Sequence, residues 1–317
     1  MHGVLVIDKP AGPTSHDVVA RVRRATVVRK IGHTGTLDPM ATGVLPLVMG
    51  RATRLAQFFA GREKVYEAEI RFGGSTDTYD RTGRFSRPDS HTDPPVGRLV
   101  DRAAINAALD GFRGTFLQTP PAVSAKKIGG VRAYRLARAE AAVELAPVSV
   151  TVCQLDVLSF DPGSSSTTDT EADPRLRIRI VCSAGFYVRA LAHDLGARLG
   201  CGAWLETLRR VQSGDFSLSA AVALETVEQE GPTALRRIVP IEELLRSIPG
   251  VVLNEAGVRR ARHGNEVTVD HLVPASAGAL SSPPRSKVRL LDEQGGVIAI
   301  AERAQAGATL HPVVVLV

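Results

Sequence analysis

Residues 32 to 47, GHTGTLDPMATGVLPL, place one carboxylate, Asp38, in a glycine-rich loop that runs directly into an apolar segment. Gly32, Gly35 and Gly43 permit backbone angles that other residues resist. Pro39 pushes Asp38 toward an extended conformation. Val44, Leu45, Leu47, Val48 and Met49 are apolar enough to form a buried strand. A single acid is thus held at a defined angle on a firm base, which suits a nucleophile or a general base. The same D-P-x-A pattern also suits a helix N-cap, with Asp38 capping and Pro39 at the first helical position.

Strand and helix signals interleave around this loop. Residues 4 to 7 read as a strand, and Thr14 or Ser15 can cap a helix carrying Val18, Val19 and Val22. A helix is expected near 51 to 60. Tyr66, Ala68, Ile70 and Phe72 alternate with charged residues, the pattern of a half-buried strand. Ile105, Leu109 and Phe112 fall on one face of a helix over 101 to 112. The stretch 118 to 132, with its prolines, glycines and paired lysines, reads as a mobile basic loop leading into a helix over 133 to 142. Strands are expected at 148 to 160 and 176 to 182, a helix over 187 to 199, and short helices within 218 to 247. Residues 86 to 97 and the polar tip 161 to 174 read as insertions, and 274 to 286 as a flexible stretch. Without regular βαβ alternation the class is α+β. Pro249 and Gly250 mark a boundary, giving a domain over 1–248 and a smaller one over 249–317.

A chain of 317 residues with 44% hydrophobic content suffices for one large soluble domain and one small one. No run of about 18 apolar residues suggests a membrane span. The N-terminus does not read as a signal peptide, so the cytoplasm is expected. Cys153, Cys182 and Cys201 are widely spaced, which argues against a disulfide framework. No histidine spacing suggests a metal, and no phosphate-loop or dinucleotide motif suggests a cofactor. The net charge of +6 and pI near 9.5 are compatible with a polyanion. Basic residues cluster at Arg21, Arg23, Arg24, Arg29 and Lys30, at Lys126, Lys127, Arg132, Arg135 and Arg138, and at Arg259, Arg260 and Arg262. Each cluster alone suits a solvated helix face; three of them flanking loops are also compatible with RNA phosphate contact.

The 32–47 segment resembles the active-site motif of the TruB family, pseudouridine synthases that act on uridine 55 in the T-loop of tRNA. GVLVIDKPAGPTSHDVV at 3–19, KVYEAEIRFGGSTDTYDRTG at 64–83 and CSAGFYVRALAHDLGARLGCGAWLETLRR at 182–210 resemble its other core segments. The tail from GVRRARHGNEV at 257 to LLDEQGGVIAIAE at 290 is similar to the small RNA-binding PUA domain. Ordered, well-spaced matches are far more specific than one motif. The resemblance implies a catalytic domain built on one long, mixed, mostly antiparallel sheet, followed by a β-rich PUA-like domain. It also implies a monomeric enzyme that needs no cofactor or metal and whose partner is the T-arm of tRNA.

By the same resemblance Asp38 is the nucleophile, Tyr66 stacks on the uracil and takes a sugar proton, and the Arg189 guanidinium pairs with Asp38. His33 stacks near the flipped base, Tyr187 lines the uracil pocket and Leu208 packs over the base. Lys9 and Pro10 support the Asp38 loop, and Asp80 is a structural acid facing the RNA. Lys126, Lys127 and Arg132, within the 118–142 insertion, contact the RNA. Many relatives carry an aromatic where this chain has Val123, which leaves that loop's contacts open. The chemistry is self-contained: a carboxylate beside the anomeric carbon can trap or stabilise the sugar while the freed uracil turns and rejoins through carbon. Whether Asp38 attacks the sugar or the base carbon is not fixed by the sequence. A binding or folding factor for tRNA, with secondary catalysis, is the alternative. A guide-RNA-dependent relative is less well supported, because such proteins carry longer basic extensions.

Overall fold

The computed structural model describes residues 1–87, 100–123, 127–128, 131–132, 145–163, 173–281, 283, 285–305 and 309–316. The expected 133–142 helix, Lys126, Arg135, Arg138 and most of the 86–97 and 161–174 insertions lie outside them, as do the side chains of Lys127 and Arg132.

Gly3–Lys9 is buried along nearly its whole length and reads as a central strand. It pairs antiparallel with Thr42–Met49 and parallel with Val222–Ala223. From Thr42–Met49 the sheet continues through Ala203–Ser213, Lys64–Phe72, Arg175–Cys182, Val148–Asp161 and Gly114–Gln118. Every junction in that run is antiparallel except the first, where Arg209 and Arg210 lie parallel to Thr42 and Gly43. The fold is α+β on a long, mixed, mostly antiparallel sheet, as expected. The parallel junction explains Gly43, whose φ is +102°. A Cβ there would overlap the backbone of Arg210, so no side chain fits where the two strands meet.

One sheet face is sealed by helices. Ser15–Thr26 buries Val18, Val19 and Val22, and Thr14 caps it in a reciprocal box with Asp17. Arg102–Asp110 buries Ile105 and Leu109. Val188–Leu199 buries its first five residues, Arg189 among them. The main core lies between these helices and Leu5, Ile7, Leu45, Leu47, Ala68, Ile70 and Ile178.

A second sheet has the order Gly250–Val252, Lys287–Leu291, Val297–Arg303, Leu310–Val315, with a small core under the helix Glu255–Arg262. It also presses Val297, Ile300, Val314 and Leu316 against Val4, Val6 and Val48 of the large sheet and Phe59 of the short helix Ala56–Ala60. The two sheets therefore share a hydrophobic layer.

Two expectations need correction. The 274–286 stretch is not plain loop: Pro274–Ser281 forms a 3-10 helix, tied to the second sheet where the Val252 amide donates to the Ser276 hydroxyl. The segment from 118 is anchored at its start, with Gln118, Pro120 and Pro121 buried. Farther on it carries a hairpin rung pairing Lys127 with Arg132.

Candidate active site

No helix follows Asp38. The chain turns back instead, the Ala41 amide donating to the Asp38 carbonyl at 3.1 Å, and then enters the Thr42–Met49 strand. The N-cap alternative is thereby excluded. Leu37, Met40 and Ala41 are buried on either side, so the loop is anchored by its apolar residues. The Ser15 hydroxyl accepts from the Leu37 amide at 2.8 Å and donates to the Leu37 carbonyl at 3.0 Å.

Two buried cations hold the loop by its carbonyls. Lys9, fully buried, donates to Pro10, Pro39 and Ala41 at 3.0, 3.1 and 2.7 Å. Arg210, 1% exposed, donates to Val44, Thr36 and Gly35 at 2.7, 3.4 and 3.1 Å. Between these grips the Asp38 side chain, about one-third exposed, opens into a cavity of about 250 Å³. Tyr66, Lys64, Tyr187, Leu208, Arg189 and Arg210 share its walls. That volume suits one extruded nucleoside rather than a strand.

Arg189 reaches Asp38 from the first turn of its helix. Its Nε donates to Oδ2 at 2.9 Å and its Nη2 to Oδ1 at 3.1 Å, a two-pronged grip on the carboxylate. Two further donors go to the carbonyls of Thr78 and Val123, each at 3.0 Å. Asp80 stands 3.7 Å from Nε as a second counter-charge. A guanidinium this buried needs such partners. The helix start has no side-chain cap. Gln118 substitutes for one, its amide accepting from Tyr187 N–H at 2.9 Å and donating to Tyr187 C=O at 3.0 Å.

Tyr66 lies directly across from Arg210 in strand register and is 9% exposed. Burial raises its phenol pKa, with the Arg210 charge opposing. Tyr66 therefore meets a substrate as a neutral phenol. Tyrosine, carboxylate and guanidinium facing one small cavity can stack on a flat base, attack or shield an electron-poor carbon, and hold the attacking acid in one orientation.

A family model for the N-terminal domain of TruB pseudouridylate synthases matches residues 23–188, and one for the C-terminal domain of tRNA pseudouridylate synthase B matches 189–246. The chain belongs to the TruB family of pseudouridylate synthases. It is 45% identical over 322 residues to the tRNA pseudouridine synthase B of Solibacter usitatus, covering 100% of both chains. It is 41% identical to that of Thermobifida fusca, covering 99% of this chain and 98% of the other. Its fold also matches the crystal structure of an archaeal box H/ACA Nop10–Cbf5 complex, with TM-score 0.69 and 23% identity over 99% of this chain and 86% of the other.

Of the residues that the TruB resemblance singles out, the fold brings Asp38, Tyr66, Arg189, Tyr187 and Leu208 to one cavity. Lys9 lies behind the loop, followed by Pro10, whose carbonyl it engages. Asp80 differs from expectation only in the direction it faces. It is 4% exposed and faces Arg189 rather than RNA, with Oδ1 accepting from the Thr78 hydroxyl and from the amide and hydroxyl of Thr82. His33 sits on the short strand Ile31–His33 opposite Leu47, outside the cavity lining. Val123 contributes its carbonyl, so the contact with Arg189 does not depend on its side chain. Among the described residues no cluster of His, Cys, Asp or Glu could hold a metal, and no helix is long and apolar enough to cross a membrane.

Sequence reasoning missed Arg210, Lys64 and Gln118. Only the basic pair after Leu208 and the lysine two places before Tyr66 hinted at them. Lys64 is 5% exposed and donates to the carbonyls of Ala60 and Arg62. Burial, reinforced by Arg210, pulls its pKa down to about 8.

Burial likewise pulls Lys9 down to about 8, with Asp38 opposing and Arg210 reinforcing. A neutral amine has two hydrogens for three carbonyls, so the grip on the loop loosens as pH rises through about 8. The single-turnover rate is expected to fall over that interval. Stability moves the other way. The folded pKa lies below the ordinary value of 10.5, so the unfolded chain keeps this proton to higher pH, and this group's contribution to stability rises between about 8 and 10.5. Rates and melting temperatures measured together check this; a rate that stays flat to about pH 9.5 contradicts it.

Proposed function

We propose that this enzyme converts uridine to pseudouridine at position 55 in the T-loop of tRNA. The observation that carries the proposal is the Asp38 carboxylate, gripped on both oxygens by a buried arginine and facing Tyr66 in a nucleoside-sized cavity. The target uridine leaves its stack and enters the cavity. Asp38 adds to the substrate or pairs with the developing cation as the bond from N1 to C1′ breaks. The freed uracil turns, C5 bonds to C1′, and the C5 proton is lost to complete the isomer. The proton lost from C5 passes to solvent and N1 takes one up in exchange, so every heavy atom of the product comes from the substrate and no oxidant or group donor enters the balance.

The buried cations Lys9, Lys64, Arg189 and Arg210 favour anionic charge at the site, which supports a uracil that carries negative charge in transit. A groove beyond Leu208, with Arg81, Arg177 and Arg209 in its walls, supports a path for RNA phosphates. On the same proposal residues 249–317 act as a PUA-like RNA-binding domain, and the enzyme works as a cytoplasmic monomer.

The experiment is a nucleotide-resolution map of pseudouridine in a full tRNA transcript after incubation with the enzyme. Modification confined to the T-loop uridine is expected; modification elsewhere, with that uridine untouched, overturns the assignment. In the same assay Tyr66→Phe is expected to bind tRNA normally but to turn over at least about tenfold more slowly, because the ring still stacks while the hydroxyl is gone. Normal single-turnover rates for Tyr66→Phe would remove the proton-transfer role.

A further inference from the structure

Tyr79 has a φ of +65°, a left-handed conformation that glycine or asparagine adopts easily and a bulky aromatic does not. The two residues around it both serve Arg189: the Thr78 carbonyl accepts from Nη1, and the Asp80 carboxylate faces Nε. The turn is fastened to the sheet by backbone bonds, Leu205 N–H to Tyr79 C=O and Arg81 N–H to Leu205 C=O, each 3.0 Å. Its link to the helix that carries Arg189 is different. There the Tyr79 ring lies flat on His193, with centroids 3.8 Å apart and planes 11° from parallel. His193 is one turn beyond Arg189 on the same helix face. Burial lowers the His193 pKa, with Asp194 opposing, so a neutral imidazole meets the phenol ring.

We propose that Tyr79 and His193 form a stacked staple that sets the spacing between the 78–80 turn and the helix, and so positions Arg189 on Asp38. Tyr79 and His193 touch no substrate; both are positioning residues. The turn supplies Arg189 with an acceptor and a counter-charge, and the helix supplies its backbone. If the two drift apart, the guanidinium cannot satisfy both the turn and Asp38. The ring stack is a side-chain contact that fixes their separation without using Arg189 itself. It also accounts for an unfavourable backbone at Tyr79, since a stacked aromatic offsets what the left-handed turn costs.

The proposal rests on the pseudouridine synthase activity, so the wild-type rate serves as the reference: no wild-type isomerisation means the activity assignment has failed, not the staple. Single-turnover rate and tRNA dissociation constant are measured for Tyr79→Asn, Tyr79→Phe and His193→Ala, each shown folded by circular dichroism. Asparagine tolerates the left-handed backbone, so Tyr79→Asn removes the ring without adding strain. Tyr79→Asn and His193→Ala are each expected to slow the reaction about tenfold with affinity changed less than about twofold. Tyr79→Phe, which keeps the stack, stays within about twofold of wild type. In an Arg189→Lys background Tyr79→Asn should add less than about a twofold loss, because the residue it acts through is already misplaced. Rates of Tyr79→Asn and His193→Ala within about twofold of wild type overturn the proposal. So does a loss confined to affinity, or a full tenfold loss added on top of Arg189→Lys.

Discussion

Asp38→Asn is expected to bind tRNA as tightly as wild type and to isomerise it at least about 10⁴-fold more slowly. The substitution is nearly isosteric, so the turn closed by the Ala41 amide and the packing of Leu37 and Met40 are preserved. Arg189 does not become an unpaired buried charge, because Asp80 stays 3.7 Å from its Nε and the Thr78 and Val123 carbonyls still accept from it. Thermal stability should therefore change by no more than about 1 kcal/mol. What is lost is the only carboxylate on the cavity wall among the described residues, since buried Asp80 does not line it. An amide neither adds to an electron-poor carbon nor shields a sugar cation. Retention of more than about a tenth of the wild-type rate would show that another group does this work.

Arg189→Lys is expected to slow the reaction by about 10² to 10³-fold, although the charge is kept. Arginine here makes four hydrogen bonds in fixed directions: two to Asp38, one to Thr78 and one to Val123. A lysine ammonium has three hydrogens, no plane, and a reach that cannot serve the carboxylate and both carbonyls together. Asp38 would then sample several orientations, and misplacement of about 1 Å at a reacting atom can cost about 10²-fold. Arg189→Ala should behave worse in a second way. It leaves Asp80 buried without its cation, a loss of about 3 kcal/mol or more that a melting curve will register. A lysine variant as fast as wild type would mean that charge alone, not orientation, is what Asp38 needs.

The parts of this site that could be read from the sequence are those where chemistry is written locally. Asp38 stands out because glycine, proline and an apolar strand frame it within a few residues. Arg189 stands out because a charge follows Gly-Phe-Tyr-Val and precedes an apolar helix. The parts that could not be read are created by pairings between distant segments. Arg210 looks like one of two surface arginines in LRR. Only the junction that sets Arg210 beside Gly43 and opposite Tyr66 makes it the buried anchor of the catalytic loop. Gln118 lies 69 residues from the Tyr187 backbone it completes. Asp80, expected to face RNA, is drawn inward because Arg189 needs a second counter-charge where Thr78 and Thr82 can satisfy the remaining carboxylate oxygen. The shared layer between the two sheets was equally hidden, since Val297 and Val314 carry no mark of which neighbour they face.

The most direct test of the central claim is tritium release from tRNA transcript labelled at carbon 5 of its uridines, with chelator present and no cofactor added. Isomerisation at one T-loop uridine predicts one tritium released per tRNA at completion, and none from a transcript in which that uridine is replaced. Tight binding of the transcript without release would contradict the account and move a tRNA-binding or tRNA-folding role to first place.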